Sequence, residues 1–241
     1  ETSALERGRL SFRLLGVMDS ETKRVINWEY CGVVSYSDGL ALQNERRERL
    51  CKEGTGAGGY LLLLEHNPVI TDGRFGRGGN IILTPEAIEE RGVEVYKTER
   101  GGDVTFHGPG QLVAYPIIDL RAFGLGAKSY VRALEETIIR TLAVYDLMGV
   151  TMEKIRGVWA YGGKIASVGV SVRNGITMHG CAFNVNTDLE YFSMIIPCGL
   201  EGVRMTSLRE ILDEDMDFGA VTRAFVRSFG EVFRAEMREA G

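Results

Sequence analysis

Three segments of this chain gather the residue types that do covalent chemistry. Ile196-Pro197-Cys198-Gly199-Leu200 sets a thiol between a rigid proline and a permissive glycine, where a chain turns rather than packs a core. Gly162-Gly163-Lys164-Ile165-Ala166-Ser167-Val168-Gly169 puts a lysine at the entrance of an alternating, strand-like run. A lysine ammonium within about 4–6 Å of a cysteine lowers the thiol pKa, so Lys164 beside Cys198 would favour a thiolate able to carry an acyl group as a thioester. The third segment, Arg100-Gly101-Gly102-Asp103-Val104-Thr105-Phe106-His107-Gly108-Pro109-Gly110-Gln111, combines four glycines with an arginine and a histidine. Its amides could receive an anionic or carbonyl group, but it matches neither the P-loop nor the dinucleotide glycine spacing.

Alternatives stay open at this level. His107 or His179 could pair with a cysteine nucleophile, or each could be a buried imidazole satisfied by backbone. Cys181 follows Met178-His179-Gly180 in an apolar strand and reads most simply as a small hydrophobe, while Cys31 and Cys51 have no supporting chemistry nearby. Lys164 alone would usually be a solvated charge.

The elements that must position these groups are mixed. Arg9 to Val17 reads as a strand, Tyr30 to Cys51 as an amphipathic helix weakened by Gly39, and Thr55 to Gly59 as a glycine-rich turn. Tyr60 to His66, Val93 to Thr98 and Gln111 to Ile118 are strand-like, and Thr84-Pro85 starts a helix that Gly92 stops. Ser129 to Met148 shows apolar residues at spacings of three and four. Lys164 to Val172 and Ile176 to Val185 flank Asn174-Gly175, a strong hairpin signal. Thr206 to Leu212 reads as a short helix, and residues 219–239 as a final amphipathic one. Strands and helices without regular alternation predict an α+β fold, one domain over 1–241.

Bulk properties narrow the function. The 241 residues carry a net charge of -5, which argues against blanket neutralisation of nucleic-acid phosphates. No apolar run is long enough to span a bilayer, and no signal peptide is visible. Four scattered cysteines without a Cys-x-x-Cys pair favour reduced thiols over a disulfide framework or zinc site, so an intracellular, cytoplasmic setting is expected (mitochondrial were the source eukaryotic).

Taken together, RGGDVTFHGPGQLVAYP at Arg100 to Pro116, GVWAYGGKIASVGVSV at Gly157 to Val172 and MHGCAFNVNTDLEYFSMIIPCGLEGVRMTSL at Met178 to Leu208 resemble the lipoate-biosynthesis octanoyltransferases. Weaker echoes occur at Leu64 to Thr71 and at Asn80-Ile81-Ile82. The resemblance implies a mixed central sheet flanked by helices plus a small second sheet, as in lipoate– and biotin–protein ligases. It implies transfer of octanoyl from acyl carrier protein to a lysine of a lipoyl domain or of glycine-cleavage H protein. Cys198 would be the nucleophile and Lys164 its proton partner, with no ATP, metal or other cofactor. Arg100 to His107, Ser167 to Gly169, and His179, Gly180, Cys181 and Ala182 would line the substrate. An ATP-dependent lipoate–protein ligase on the same scaffold is the closest rival. A transferase exchanging lipoyl groups between proteins and a non-catalytic carrier-binding module are others.

Overall fold

A computed structural model describes residues 24–54, 58–76, 78–153, 155–199 and 202–240, with the backbone but not the side chain of Cys198. The strand expected over Arg9 to Val17 and most of the turn expected over Thr55 to Gly59 lie outside these residues.

The first described element is β1 (Arg24–Val34), followed by α1 (Tyr36–Glu53). The expected helix over Tyr30 to Cys51 therefore starts late: Tyr30 to Val34 is strand. Ser35 stays extended at the boundary, and its Oγ accepts the amide of Asp38, capping the helix. β2 (Gly59–His66) and β3 (Val69–Asp72) come next, then α2 (Pro85–Glu89), β4 (Glu94–Lys97), β5 (Val104–His107) and β6 (Gln111–Ile118). α3 (Ala127–Ala143), β7 (Val158–Ala160) and the hairpin of β8 (Gly163–Arg173) with β9 (Ile176–Asn184) follow. Asn174 and Gly175 both have positive φ, as the two-residue turn requires. The chain closes with α4 (Leu208–Leu212), α5 (Phe218–Phe233) and β10 (Ala235–Glu239). The final helix expected over 219–239 thus ends early. Arg234 adopts the left-handed conformation, and Met237 pairs with Ile26 in a parallel strand instead of extending the helical face.

Two sheets result, as the α+β reading expected. The larger has seven strands in the order β10-β1-β2-β6-β9-β8-β7, and the smaller has three in the order β4-β3-β5. In the larger sheet β1 is parallel to β2 and β10, whereas β2, β6, β9, β8 and β7 run antiparallel in turn. All eight residues of β6 and all nine of β9 are buried, because the sheet is covered on both faces. One face packs Leu61, Phe183 and Ile165 against Tyr130, Leu134, Ile138 and Phe225, Phe229 of α3 and α5. The other packs Tyr60, Leu62 and Tyr115 against Leu50 and Leu42 of α1. The smaller sheet has its own core of Ile70, Val104 and Phe106 against Ile88 of α2 and Phe192, Met194 of the 3-10 turn Leu189–Met194.

Gly39, which weakened the helix in sequence, has a packing reason. A Cβ there would come within 2.7 Å of His66 Cε1, so α1 crosses β2 only because residue 39 lacks one.

Candidate active site

The expected substrate segments meet around one cavity, a narrow slot of about 50 Å³ at the seam between the two sheets. Its walls are Arg100 to Thr105 and His107 from the loop and β5, Ser167 to Gly169 from β8, and His179 to Ala182 from β9. Tyr36 at the start of α1 and Tyr115 on β6 complete it.

Missing side chains let these walls close. Gly101 N donates to Val170 O (2.9 Å), laying the loop along β8. A Cβ on Gly169 would come within 2.9 Å of Gly101 O, and one on Gly180 within 2.1 Å of Ala114 O. The loop is backed by a second turn, since Gly73, Arg74 and Phe75 donate their amides to Asp103, Arg100 and Gly102. His179 is aimed by a break in the ladder. β6 and β9 pair only from Gln111↔Asn184 to Ala114↔Cys181, because Pro116 has no amide to give. Beyond that point Thr177 Oγ1 donates to Pro116 O (2.7 Å) and accepts from Ile118 N (3.0 Å). His179 takes φ +56 at this break, a rare conformation for a non-glycine residue, and its amide is caught by Gln43 Oε1 at 2.7 Å.

The polar groups form one network. Arg100 Nη2 donates to Thr71 O (2.6 Å) and Oγ1 (2.9 Å), and Thr71 Oγ1 lies 3.4 Å from His107 Nε2. His107 Nδ1 lies 2.7 Å from Gln111 Oε1, and Gln111 Nε2 donates to Asn184 Oδ1 (2.9 Å). Asn184 Nδ2 then donates to Thr206 O (3.0 Å), and Thr206 N donates to Lys164 O (3.0 Å). The amide roles give Gln111 Oε1 only an accepting part, so His107 carries its proton on Nδ1. His66 likewise donates from Nδ1 to Val34 O (3.1 Å), leaving Nε2 to accept from the Tyr115 hydroxyl at 2.8 Å.

All three histidines of the chain are neutral at physiological pH. Burial pushes His66 and His179 down to about 4 and His107 to about 3, with neighbouring Arg100 adding to the last two. Values this low mean that neither His107 nor His179 would hold a proton taken from a cysteine at neutral pH. Cys181 is buried in the cavity wall with its thiol pushed up to about 12 by desolvation, which keeps it protonated and unreactive.

Lys164 is fully buried, with Nζ 5.3 Å from the centre of the Trp159 ring. The solvated-charge reading is overturned. Its stem passes Gly157, which has φ +130 and where a Cβ would meet Ala166 O at 2.2 Å and Lys164 Cε at 2.7 Å, and this accounts for the glycine before Val158. Lys164 lies on the same strand as Ser167 but is not part of the cavity wall.

Cys198 sits in the 3-10 turn Pro197–Gly199, closed by Gly199 N donating to Ile196 O at 2.9 Å. Ile196 N donates to Asn80 O (2.8 Å), and Asn80 Nδ2 donates to Asp103 Oδ2 (2.6 Å). A Cβ on Gly199 would come within 2.7 Å of that same Asp103 oxygen, so the turn abuts the cavity wall. The turn also borders a broader groove of about 500 Å³ lined by Ile82, Phe192, Ile195, Pro197 and Met205.

Phe106 is the one expected lining residue that turns away. Alternation along β5 sends it into the small core, stacked on Tyr191 at 4.7 Å and edge-on to Phe192. Tyr36 and Tyr115 were missed, because Tyr36 counts as one apolar position of the expected helix and Tyr115 sits in an apolar strand. Among the described residues no group of three or more His, Cys, Asp or Glu could hold a metal ion, and no helix is long and apolar enough to cross a membrane.

Residues 35–230 match the lipoyl protein ligase A/B catalytic domain. An octanoyltransferase of Caldicellulosiruptor saccharolyticus is 46% identical over 215 residues, covering 88% of this chain and 91% of its own. Another from Acidobacterium capsulatum is 43% identical over 224 residues, covering 87% and 90%. This chain belongs to the octanoyltransferases. It is thus an acyltransferase of the lipoyl protein ligase A/B family. Solved structures with the octanoyltransferase chain's fold include lipoate-protein ligase A bound with ATP (TM-score 0.70, 17% identity, 90% and 88% coverage). The bipartite lipoate protein ligase with its E2 lipoyl domain from Thermoplasma acidophilum matches similarly (TM-score 0.70, 18% identity, 90% and 86% coverage).

Proposed function

We propose that this octanoyltransferase moves octanoyl from acyl carrier protein to a lysine of a lipoyl domain through a thioester on Cys198, as a soluble cytoplasmic enzyme. Glycine-cleavage H protein is a second acceptor of the same kind. The observation that carries the reading is the meeting of the three chemistry-bearing segments: one cavity is walled by two of them and abutted by the turn of the third.

Lys164 takes the Cys198 proton, and the thiolate attacks the octanoyl thioester carbonyl. The new C–S bond forms as the bond to the carrier's thiol breaks, and that thiol leaves with a proton. The amine of the acceptor lysine, deprotonated by Lys164, then attacks the Cys198 thioester. An amide forms and the Cys198 thiol is restored. Backbone amides of the Pro-Cys-Gly turn and of Ser167 to Gly169 suit the tetrahedral oxyanion. The thioester brings the free energy for amide formation, so the cycle requires neither ATP nor metal.

Purified enzyme, octanoyl-acyl carrier protein and a lipoyl domain form the test, with modification of the acceptor lysine followed by mass spectrometry. Transfer is expected without nucleotide. Modification that instead requires free octanoate and MgATP would replace this reading with a ligase.

A further inference from the structure

An irregularity in the sheet brings an aromatic ring to the head of Lys164. β7 and β8 pair as Val158↔Ala166 and then as Trp159↔Lys164, so Ile165 falls between the two pairs. In unbroken register Trp159 would oppose Ile165; the bulge sets it opposite Lys164 instead. Nζ then stands 5.3 Å from the centre of the indole ring, within cation–π reach.

Both partners are held in place. Trp159 N donates to Val150 O (2.8 Å) and Trp159 O accepts from Val150 N (2.9 Å), so the short strand is clamped on its outer side. Trp159 itself is buried. The lysine backbone is pinned as well, its N donating to Arg204 O (2.8 Å) and its O accepting from Thr206 N (3.0 Å). Gly157, which leaves room for the lysine stem, is anchored by donating its amide to Oε1 of the buried Glu135 at 3.0 Å.

This seat matters because burial disfavours an ammonium, yet Lys164 becomes one when it takes a proton. The negative face of an indole attracts a cation, and more strongly where water is excluded. On the reading of acyl transfer given above, we infer that Trp159 is a positioning residue for Lys164, seating the ammonium formed when the Cys198 proton passes to Nζ. The seat favours the thiolate–ammonium pair over the neutral pair. The proton stays at Nζ until the carrier's thiol leaves with it. Trp159 neither gives nor takes a proton and acts only through Lys164.

The test follows alkylation of Cys198 by iodoacetamide against pH, read on the Cys198 peptide by mass spectrometry so that the other three cysteines do not contribute. Lys164→Met should raise the midpoint most, toward the ordinary thiol value of about 8.5. Trp159→Leu should raise it by about one unit, a loss of about tenfold in thiolate below the midpoint, the scale of a desolvated cation–π contact. Trp159→Phe keeps a weaker aromatic face and should raise it by about half a unit, about threefold. General damage would lower the plateau or the melting temperature and leave the midpoint in place. Trp159→Phe retains a ring in the core, so it carries the test on its own should Trp159→Leu fail to fold. A midpoint unmoved in a folded Trp159 variant, while Lys164→Met moves it, would overturn the inference. A midpoint unmoved by Lys164→Met would fail the underlying proton partnership of Lys164 and Cys198 instead.

Discussion

The two sheets meet at the site but are built to different standards. In the seven-stranded sheet, β2, β6 and β9 are buried along almost their whole length, between α3 and α5 on one face and α1 on the other. That sheet holds Lys164, Gly169 and His179. In the three-stranded sheet only β3 and β5 are buried, and β4 is largely exposed. That sheet carries the Arg100 loop and, through Asp103 and Asn80, steadies the Pro-Cys-Gly turn. The cavity wall therefore draws Ser167 to Gly169 and His179 to Ala182 from the doubly covered sheet, and Arg100 to Thr105 and His107 from the lighter one. The Arg100-to-Thr206 network ties the two together, so the seam rather than either sheet defines the site.

Acid should split that seam with the largest effect. The three histidines have folded-state pKa values of about 3 to 4, below their unfolded value near 6.5. The unfolded chain therefore binds protons first as pH falls. Their stabilisation is complete above about pH 6.5 and drains away toward about pH 4. Denaturant melts at pH 7 and pH 5 should differ by several kcal/mol at about 1.4 kcal/mol per pKa unit. Equal stability at both would show the histidines to be solvated.

Lys164→Met probes the heavy sheet's chemical contribution. Transfer should fall by about 10²- to 10³-fold, the weight of a general base. Retained turnover would remove Lys164 from the mechanism.

A glycine pair contrasts the sheets directly. Gly180→Ala forces a Cβ to 2.1 Å from Ala114 O inside the seven-stranded sheet and should cost about 3 kcal/mol. Gly101→Ala, in the loop of the lighter sheet, meets only Val170 O at 3.4 Å and should cost under about 0.5 kcal/mol. Matching losses in chemical denaturation would erase the proposed difference in rigidity.

The smallest effect belongs to the tether. Asn80→Ala removes the side-chain bond to Asp103 and should slow transfer about tenfold while destabilising by about 1 kcal/mol. A rate unchanged from that of the parent enzyme would mean the turn needs no such support.

Much of this was legible in sequence, for local reasons. Asn174-Gly175 fixes its hairpin through backbone conformation, Thr84-Pro85 starts α2 through capping, and Gln111 to Ile118 is a strand with the boundaries its apolar run implies. The long-range elements were not. β1 mixes Asn27 and Glu29 with apolar residues, and β10 consists of Ala235–Glu239. β1 is held between β2 and β10, and β10 exists because β1 pairs with it from the far end of the chain. Within the site, the loop motif revealed which residues lie on the cavity but not which way β5 turns, so Phe106 was included. Tyr36 and Tyr115 carried no signal, because a tyrosine at an apolar position of a helix or strand looks like core until the fold shows its hydroxyl. His179 was visible, but its aim depends on Pro116, whose missing amide acts across two strands.

The central claim is that Cys198 carries the acyl group at this seam. Enzyme incubated with octanoyl-acyl carrier protein and no acceptor should gain one octanoyl mass by intact-mass spectrometry, released by hydroxylamine as a thioester is. Cys198→Ala should gain none while keeping the parent's melting temperature. An adduct of equal yield in Cys198→Ala, or none on the parent enzyme, would contradict the account.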